Sequence, residues 1–423
     1  MIILILIIFL LGYFAIAFEQ PIGLNKAASA LLTGVLCWII YFHEAQDAGK
    51  TSMELLQHVG NISSVLFFLL GAMIIVEIMD SHHSFDIITE KISTQSKRTL
   101  LIILATITFF LSALLDNLTT AIVMTSISSK LITKREEQWW FAGMIVIASN
   151  AGGVWSPLGD VTSSMLWIGG QVSASQLILR TFFPSLFVWI IPLLFISGKF
   201  RGKRVDSKQD AKPLRDRNGF VILVSGIILL ILVPVFKITT GIPPFMGMLL
   251  ALGLIWILTS ILHNKKLPEV GDRKITPAEA LQRIDAPSII FFLGILLAVS
   301  ALQAVGILKS LSELLSGAAK NDYVLGSVLG LTSSVIDNVP LVAAIQGMYN
   351  LSVYPPDHTL WEFVAFTTGT GGSILIIGSA AGVAVMGIEK ISFGWYLKKI
   401  SGAALLGFAA GIIVYIIQQN VFS

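Results

Sequence analysis

Two polar stretches of the chain contain side chains that could bind a small cation. The sequence SALLDNLTTAIVM spans 112–124, and SNAGGVWSPLGDVTSSMLWIGG spans 149–170. Each is apolar at its ends and places a carboxylate, Asp116 or Asp160, among Asn, Thr, Ser and Gly. A carboxylate in sequence apolar enough for lipid is costly, so its first interpretation is functional. Carboxylate, amide and hydroxyl oxygens are hard ligands, and the two stretches therefore predict half of a site for Na⁺, Li⁺ or H⁺.

The backbone between Asn150 and Asp160 could supply further ligands. Its sequence AGGVWSPLG cannot hold an ideal helix, because glycine leaves helical geometry easily and Pro157 lacks a backbone N–H. Carbonyls freed by such a break are typical ligands of transported cations. The candidate side chains of this half are Asp116, Asn117, Thr119, Thr120, Asn150, Asp160, Thr162, Ser163 and Ser164. Two alternatives stay open: the acids only cap helices, or a kinked helix packs its small residues against a neighbour.

Three motifs of the first half recur in the second half, in the same order. FFLLGAMI (67–74) is repeated as FFLGILLA (291–298), and the stretch around Asp116 is repeated as SSVIDNVPLVAAI (333–345). NAGGVWSPLGD is repeated as TGGSILIIGS (370–379), and the last two motifs lie 221 and 219 positions apart. This register predicts an internal duplication, the usual architecture of secondary transporters. The candidate residues of the second half are Ser333, Ser334, Asp337, Asn338, Thr368, Thr370, Ser373 and Ser379.

The composition indicates a membrane protein with many spans. Of its 423 residues, 55% are hydrophobic and 13% are charged, and the mean hydropathy is +0.84. The single cysteine, Cys37, lies in an apolar run and predicts no disulfide framework. No segment has the character of a nucleic-acid-binding region, and residues 1–18 are expected to form a first membrane helix rather than a signal peptide.

Apolar segments of about 20 residues can span a bilayer. They fall at 1–18, 22–42, 60–79, 139–170, 177–198, 218–236, 244–262, 289–305, 360–387 and 400–418. Segments 139–170 and 360–387 are overlong with glycine-rich centres, and they predict broken helices. Segments 99–130 and 322–350 each carry an Asp-Asn pair near the middle. At about 1.5 Å per residue, about 30 residues are too many for one span and too few for two. These segments therefore predict re-entrant hairpins with the Asp-Asn pair at the tip.

Lys and Arg placement supports this arrangement. With the basic loop 199–217 in the cytoplasm, the cytoplasmic segments hold 23 Lys and Arg and the opposite side holds four, as the positive-inside tendency requires. The sequence thus predicts an all-α polytopic membrane protein with two inverted-topology repeats. Each repeat would have about five transmembrane helices and one re-entrant hairpin, over 1–198 and 218–423, joined by the cytoplasmic linker 199–217.

Other titratable residues near the membrane surface have weaker assignments. Glu77 lies near the cytoplasmic end of a predicted span, where it could pair with a Lys or Arg or give protons access to the site. The pair His82-His83 could sense pH, although a solvated loop is the simpler interpretation. No Cys or further His has the spacing of a zinc site.

These motifs, together with TGTGGSILIIGSAAGVAVMG (368–387), resemble NhaD-type sodium/proton antiporters of the ion transporter superfamily. The resemblance covers nearly the whole chain and is densest at 60–170 and 289–390. It implies a homodimer in a bacterial inner (plasma) membrane, with a scaffold domain and a moving transport domain that work by alternating access. The cargo would be Na⁺, with Li⁺ and H⁺, and no cofactor is implied. The functional positions it implies are Asp116, Asn117, Asn150, Asp160, Thr162, Ser333, Ser334 and Asn338, with Asp116, Asn117, Asn150, Asp160 and Asn338 as Na⁺ ligands.

A competition mechanism follows from the acids. A carboxylate in a dry site binds protons near neutral pH, so Na⁺ and H⁺ would compete for it. Only a site neutralised by one of the two cations would change its exposure from one side of the membrane to the other. The alternatives are a sodium-coupled anion symporter and an oxyanion efflux permease. The pattern resembles divalent-anion/sodium symporters more distantly, and these have a Ser-Asn-Thr motif at each hairpin tip, where this chain has Asp116-Asn117 and Asp337-Asn338. An intramembrane aspartyl protease is disfavoured, because Pro157 replaces the first Gly of the Gly-x-Gly-Asp signature. The sequence therefore predicts a transporter rather than an enzyme.

Overall fold

The computed structural model describes residues 2–17, 19–45, 47–82, 84–85, 94–205, 217–264, 277–311 and 321–422. Its helices, numbered here in chain order, are α1 (Ile2–Ala17), α2 (Glu19–Ile22), α3 (Lys26–Glu44), α4 (Ala48–Ser81), α5 (Lys97–Ser112), α6 (Asn117–Leu131), α7 (Arg135–Gly153), α8 (Val161–Ile168), α9 (Ala174–Gly198), α10 (Arg217–Thr240), α11 (Pro244–Asn264), α12 (Pro277–Arg283), α13 (Ala286–Ala304), α14 (Asp322–Ser333), α15 (Asn338–Met348), α16 (Thr359–Gly371), α17 (Ala380–Glu389), α18 (Phe393–Lys399) and α19 (Ser401–Phe422).

Long apolar helices dominate the structure. In the part of the chain described, seven helices are long and apolar enough to cross a membrane: α3, α4, α9, α10, α11, α13 and α19. The prediction of an all-α polytopic membrane protein is therefore confirmed. The predicted span 1–18 corresponds to a helix of 16 residues, which at about 1.5 Å per residue is shorter than the hydrocarbon core.

The helix at the third predicted span, 60–79, is much longer than its apolar part. Helix α4 has 34 residues and starts at Ala48, where the Asp47 side chain accepts hydrogen bonds from the backbone N–H groups of Gly49 and Lys50. Hydropathy predicted only 60–79, because the first three turns carry polar residues. Polar residues form helices as readily as apolar ones once a cap starts the helix, so apolarity underestimated the length.

Each segment predicted as a hairpin contains two helices joined at the Asp-Asn pair. Helices α5 and α6, here called the first hairpin, are joined by residues 113–116, and α14 and α15, the second hairpin, by residues 334–337. Asp116 is the N-cap of α6, and Asp337 is the N-cap of α15. The interpretation of these acids as helix caps therefore applies to both, and both acids lie where a helix begins.

Each segment predicted as a broken helix contains two helices separated by irregular backbone. The first broken helix consists of α7 and α8 with residues 154–160 between them, and the second consists of α16 and α17 with residues 372–379 between them. Asp160 caps α8 and Ser379 caps α17. These two caps lie at corresponding positions, which explains how the second half completes the same turn without a carboxylate.

The same close contact joins hairpin and broken helix in both halves. A Cβ on Gly152 would lie 2.1 Å from the carbonyl oxygen of Phe109, and a Cβ on Gly371 would lie 2.0 Å from that of Gly330. Nearby, the Ser112 hydroxyl donates to the Ser149 carbonyl at 2.6 Å. Its counterpart, Ser333, donates to Thr368 at 2.6 Å. Only glycine permits so close a backbone approach, so each hairpin lies directly against the break that faces it.

Segments that the charge count assigned to the cytoplasm meet in the structure. Lys97, 2% exposed, forms a salt bridge of 2.7 Å with Glu137. The start of the linker packs against the start of α5, where the Val205 N–H donates to the Gln95 carbonyl at 2.8 Å. The rest of the predicted linker, 206–216, lies outside the described residues.

Candidate functional site

Four short helices begin at one buried cavity. The cavity has a volume of about 40 Å³ and is lined by the first residues of α6, α8, α15 and α17 together with residues of α4 and α13. Its polar lining residues are Asp116, Asn117, Asp160, Ser164, Ser288, Asp337 and Asn338. The fold thus brings together three acids that are separated by up to 221 positions in the chain.

Asp116 is held by the first turn of α6. Its carboxylate accepts a hydrogen bond from the Thr119 N–H at 2.9 Å and from the Thr119 hydroxyl at 2.5 Å. Both bonds favour the ionised carboxylate, as does the positive end of the helix dipole. Thr119, which was predicted to bind the ion, therefore contacts the acid directly.

Asp160 is the centre of a hydrogen-bond network between the first hairpin and the first broken helix. The Asn117 Nδ2 donates to Asp160 Oδ1 at 2.7 Å and to Asn150 Oδ1 at 3.0 Å. The other carboxylate oxygen accepts from the Thr162 N–H at 3.1 Å and from the Thr162 hydroxyl. All four side chains are at most 5% exposed, so this acid is removed from bulk water but fully hydrogen-bonded.

Asn150 connects the two halves of the chain. While its Oδ1 accepts from Asn117, its Nδ2 donates to the hydroxyls of Ser373 and Ser379, both at 2.9 Å. A single amide that is 0% exposed thus links the first hairpin to the break of the second broken helix. If one half moves relative to the other, these hydrogen bonds must break, or Ser373 and Ser379 must move together with Asn150.

The second hairpin contributes Asp337 and Asn338 to the cavity. The Asp337 carboxylate accepts from the Val339 N–H at 3.1 Å. Asp160 is close enough to Asp337 for the two to interact electrostatically, and so is Lys26, whose Nζ lies 4.9 Å from the Phe291 ring centre. A cation from α3 therefore offsets part of the charge that three acids concentrate here.

Other predicted residues lie outside the cavity lining. Hydroxyls of Ser163, Ser334 and Thr370 donate to the backbone carbonyls of Val154, Leu331 and Phe366. Thr120 and Ser333 are fully buried; Thr120 lies one turn into α6, and Ser333 makes the hairpin contact described above. Apart from Thr120, these residues shape the helices that carry the site rather than facing it.

Glu77 lies away from the cavity. It is half-buried on the last turns of α4 and accepts a hydrogen bond from the Ser81 hydroxyl at 3.1 Å. Arg283 of α12 is near enough to interact with it electrostatically, which agrees with the suggestion of pairing. His82 ends the same helix, and His83 lies outside the described residues.

Sequence reasoning missed several residues of this region. Phe68 and Phe292 line the cavity at equivalent positions of the FFLLGAMI and FFLGILLA motifs, so the repeat itself could have identified them. Lys26 and the buried acids Glu362 and Glu389, 2% and 8% exposed, carried no such signal. Each lies near a predicted span end, where a charged residue in the sequence is expected to be solvated.

The arrangement suits a small monovalent cation. Among the described residues, no three His, Cys, Asp or Glu side chains are grouped closely enough to hold one metal ion. A cation would therefore need amide, hydroxyl and backbone oxygens besides one or two carboxylates, the mixed hard-oxygen set typical of weakly held cargo. The fold is that of a polytopic membrane protein, and buried acids beside helix breaks are typical of transporters.

Comparison with known proteins gives the family. A family model described as "CitMHS: Citrate transporter" matches residues 4–369. "Sodium/proton antiporter 1" of Arabidopsis thaliana is 43% identical over 417 residues, which cover 98% of this chain and 72% of that protein. "Na(+)/H(+) antiporter NhaD" of Vibrio cholerae is 30% identical over 445 residues, covering 98% and 91%. The chain therefore belongs to the CitMHS transporter family, and its resemblance to NhaD-type antiporters is confirmed.

Proposed function

We propose that this protein exchanges Na⁺, and also Li⁺, for H⁺ across a membrane. The observation that carries the proposal is the buried network in which Asn117 holds Asp160 and Asn150 at the convergence of four helix starts. The names of the plant and bacterial relatives support sodium/proton exchange as the activity. In this proposal Asp160 and Asp116 bind the cargo, and Asp337 sets the charge around them.

Competition for one carboxylate explains exchange without a separate gate. An ionised carboxylate without a counter-charge is costly away from water, and either H⁺ or Na⁺ removes that cost. The two loaded forms therefore cross more easily than the empty one. Hydrogen bonds from Asn117 and Thr162 favour the ionised carboxylate, which keeps Na⁺ able to compete with the proton.

Alternating access with two inverted repeats is the movement we propose. The recurrence of the glycine contacts and of the Ser112 and Ser333 hydrogen bonds supports a duplication over 1–198 and 218–423, joined by the linker 199–217. The two hairpins and two broken helices would form the moving transport domain. A homodimer in a bacterial plasma membrane completes the proposal, on the basis of the family resemblance.

A second candidate function comes from the family description, which names citrate. A citrate carrier needs cationic or N–H-rich groups for a multiply charged anion. The charged residues that line this cavity are three acids, so an anion would enter a field of its own sign. The acids thus disfavour the two alternatives, sodium-coupled anion symport and oxyanion efflux. One assay can separate both of them from cation/proton exchange.

The test uses purified protein in liposomes with a trapped pH dye. Addition of Na⁺ or Li⁺ outside acid-loaded liposomes should make the lumen more alkaline at a rate that saturates with cation. Asp160→Asn should lower this rate to that of protein-free liposomes, because asparagine can neither take a proton in this pH range nor neutralise Na⁺. Asp47→Asn is the matched control, since this exposed cap keeps a capping side chain.

The outcomes separate the candidates. Uptake of labelled citrate without any cation-driven pH change would replace the proposal with anion transport. Exchange that survives in Asp160→Asn at wild-type rate would leave the activity in place but remove this residue from the mechanism.

A further inference from the structure

Buried hydroxyl groups follow α6 from the cavity toward its far end. Thr120, Thr125 and Ser128 are at most 1% exposed, and their hydroxyl oxygens have no hydrogen-bond partner in the described part of the chain. Buried Thr and Ser usually donate to the carbonyl four residues earlier, as Thr108 and Thr368 do in neighbouring helices. Three unsatisfied hydroxyls on one helix are costly, so we expect water or a passing ion to satisfy them.

The line ends at a buried carboxylate on a different helix. Glu389, the last residue of α17, is 8% exposed, and its carboxylate accepts a hydrogen bond from the Ser129 hydroxyl. The Trp139 indole donates to the Glu389 carbonyl at 3.0 Å. A carboxylate at a helix C-terminus faces the negative end of the helix dipole. Lys130 and Lys390, next in sequence to these two partners, are exposed, whereas the acid itself is buried.

Helices α6 and α17 therefore share both ends. Both begin at the cavity, one at Asp116-Asn117 and the other at Ser379-Ala380. Both end where Ser129 meets Glu389. The 15 residues of α6 span about 22 Å, which is the distance from the cavity to the surface that this pair covers.

The corresponding helices α8 and α15 repeat this polar line only in part, since Gln346 and Tyr349 stand 221 positions after Thr125 and Ser128. Helices α8 and α15 also begin at the cavity, and their far ends meet through the amides of Gln346 and Gln171 at 2.9 Å. At the position equivalent to Thr120, 221 residues later, α15 has Leu341. The far ends of α8 and α15 thus meet through two neutral amides, whereas those of α6 and α17 meet through the Ser129 hydroxyl and the Glu389 carboxylate. The duplication gives two routes from the cavity, and only one of them ends at an acid.

We propose that Glu389 collects the cation or proton at the surface where α6 and α17 end, and that Thr120, Thr125 and Ser128 line its path to the cavity. This inference rests on the proposed exchange function and deepens it. The cargo is the same small cation or proton, and the end concerned belongs to the segments assigned to the cytoplasm. Glu389 acts on cargo in transit, so it should affect one side of the membrane more than the other.

Sided transport tests the acid. In inside-out and right-side-out vesicles from cells that express the protein, Glu389→Gln should raise the KM for Na⁺ several-fold when Na⁺ meets the α6 and α17 ends. The KM from the other side should stay unchanged, and Glu389→Asp should restore part of the affinity. Glu136→Gln, an exposed glutamate near the same surface, controls for the loss of one surface charge.

Accessibility tests the path independently of transport. In a Cys37→Ala background, Ser128→Cys should react with a charged, water-soluble thiol reagent added on the side of Glu389. Val123→Cys, buried on the opposite face of α6, should not react. This measurement tests the path even if the Glu389→Gln variant fails to insert into the membrane.

The outcomes distinguish this inference from the proposed function. Absence of exchange in the wild-type protein refutes the function. Exchange in the wild type with equal KM effects on both sides, or with none, refutes the role of Glu389. An unlabelled Ser128→Cys refutes the path.

Discussion

At the scale of single residues, one side chain often has both a structural and a functional role. Asp116, Asp160 and Asp337 each cap a helix, and each lines the cavity. The cap fixes the carboxylate at the positive end of a helix, so the geometry that stabilises the fold also prepares the acid for a cation. Capping and ion binding are therefore compatible interpretations of the same residue.

The amide of Asn117 should matter more than its size suggests. Asn117→Ala removes the donor to Asp160 and leaves the Asn150 Oδ1 without that bond. A hydrogen bond to a charged group contributes about 1.5–3 kcal/mol, which predicts a loss of about 10- to 100-fold in kcat/KM for Na⁺. The measurement is Na⁺-driven dye response in proteoliposomes.

A matched asparagine outside the cavity provides the control. Asn321 caps α14 through a bond to the Tyr323 N–H at 2.8 Å. Asn321→Ala should lower stability by about 1 kcal/mol and leave kcat/KM unchanged. Equal transport losses in both variants would contradict a specific role for Asn117.

At the scale of elements, the site depends on short helices that end inside the protein. Each hairpin lies against a break, and a glycine at the contact brings the two backbones within reach of the serine hydrogen bonds. These contacts fix where α6, α8, α15 and α17 begin, and hence where their caps lie. The cavity is therefore positioned by packing between elements rather than by any one helix.

A methyl group at this contact should separate the hairpin from the break. Gly152→Ala places a Cβ 2.1 Å from the Phe109 carbonyl oxygen, so backbone atoms must shift. Overpacking typically costs about 1–3 kcal/mol, and we expect a lower Tm in detergent together with weaker exchange.

Gly253→Ala is the paired control for that change. Gly253 lies in α11 with open space where a Cβ would stand, and alanine there should be neutral or stabilising by up to about 1 kcal/mol. A Tm for Gly152→Ala equal to that of Gly253→Ala would show that the contact tolerates a side chain.

At the scale of the whole molecule, charge and contacts describe the same arrangement. Segments that the Lys and Arg count assigned to the cytoplasm touch one another through Lys97 and Glu137. Segments assigned to the opposite side also meet, since the Ser173 N–H donates to the Asp357 carboxylate at 2.5 Å. These contacts are compatible with the sidedness that the charge count predicts, which stays a prediction.

Cysteine labelling tests this topology. In a Cys37→Ala background, Arg201→Cys should react with an impermeant thiol reagent only from the cytoplasmic side, and Ser352→Cys only from outside. Both positions are exposed, so a lack of reaction would reflect sidedness rather than burial. Labelling of both cysteines from the same side of intact cells would overturn the inverted arrangement.

The sequence alone determined the class of the protein and the residue types of its candidate site. Apolar runs separated by basic segments indicate a polytopic membrane protein. In lipid each run must form a helix, because only then are its backbone N–H and C=O groups hydrogen-bonded. The Asp-Asn pairs and glycine-rich breaks stand out because each is costly in lipid unless it is used. Their repetition at 221 and 219 positions indicated that the two halves are equivalent before any contact was known.

Tertiary structure decided which of these residues meet. Asn150 bonds to Ser373 and Ser379 across more than 220 positions, and Glu389 meets Ser129 across 260. Such pairs depend on the relative position of elements that the local sequence does not encode. In a membrane protein the difficulty is greater, because residues facing lipid and residues facing the protein core are both apolar. Hence hydropathy could indicate that helices exist, while only packing could show that four of them begin at the same cavity.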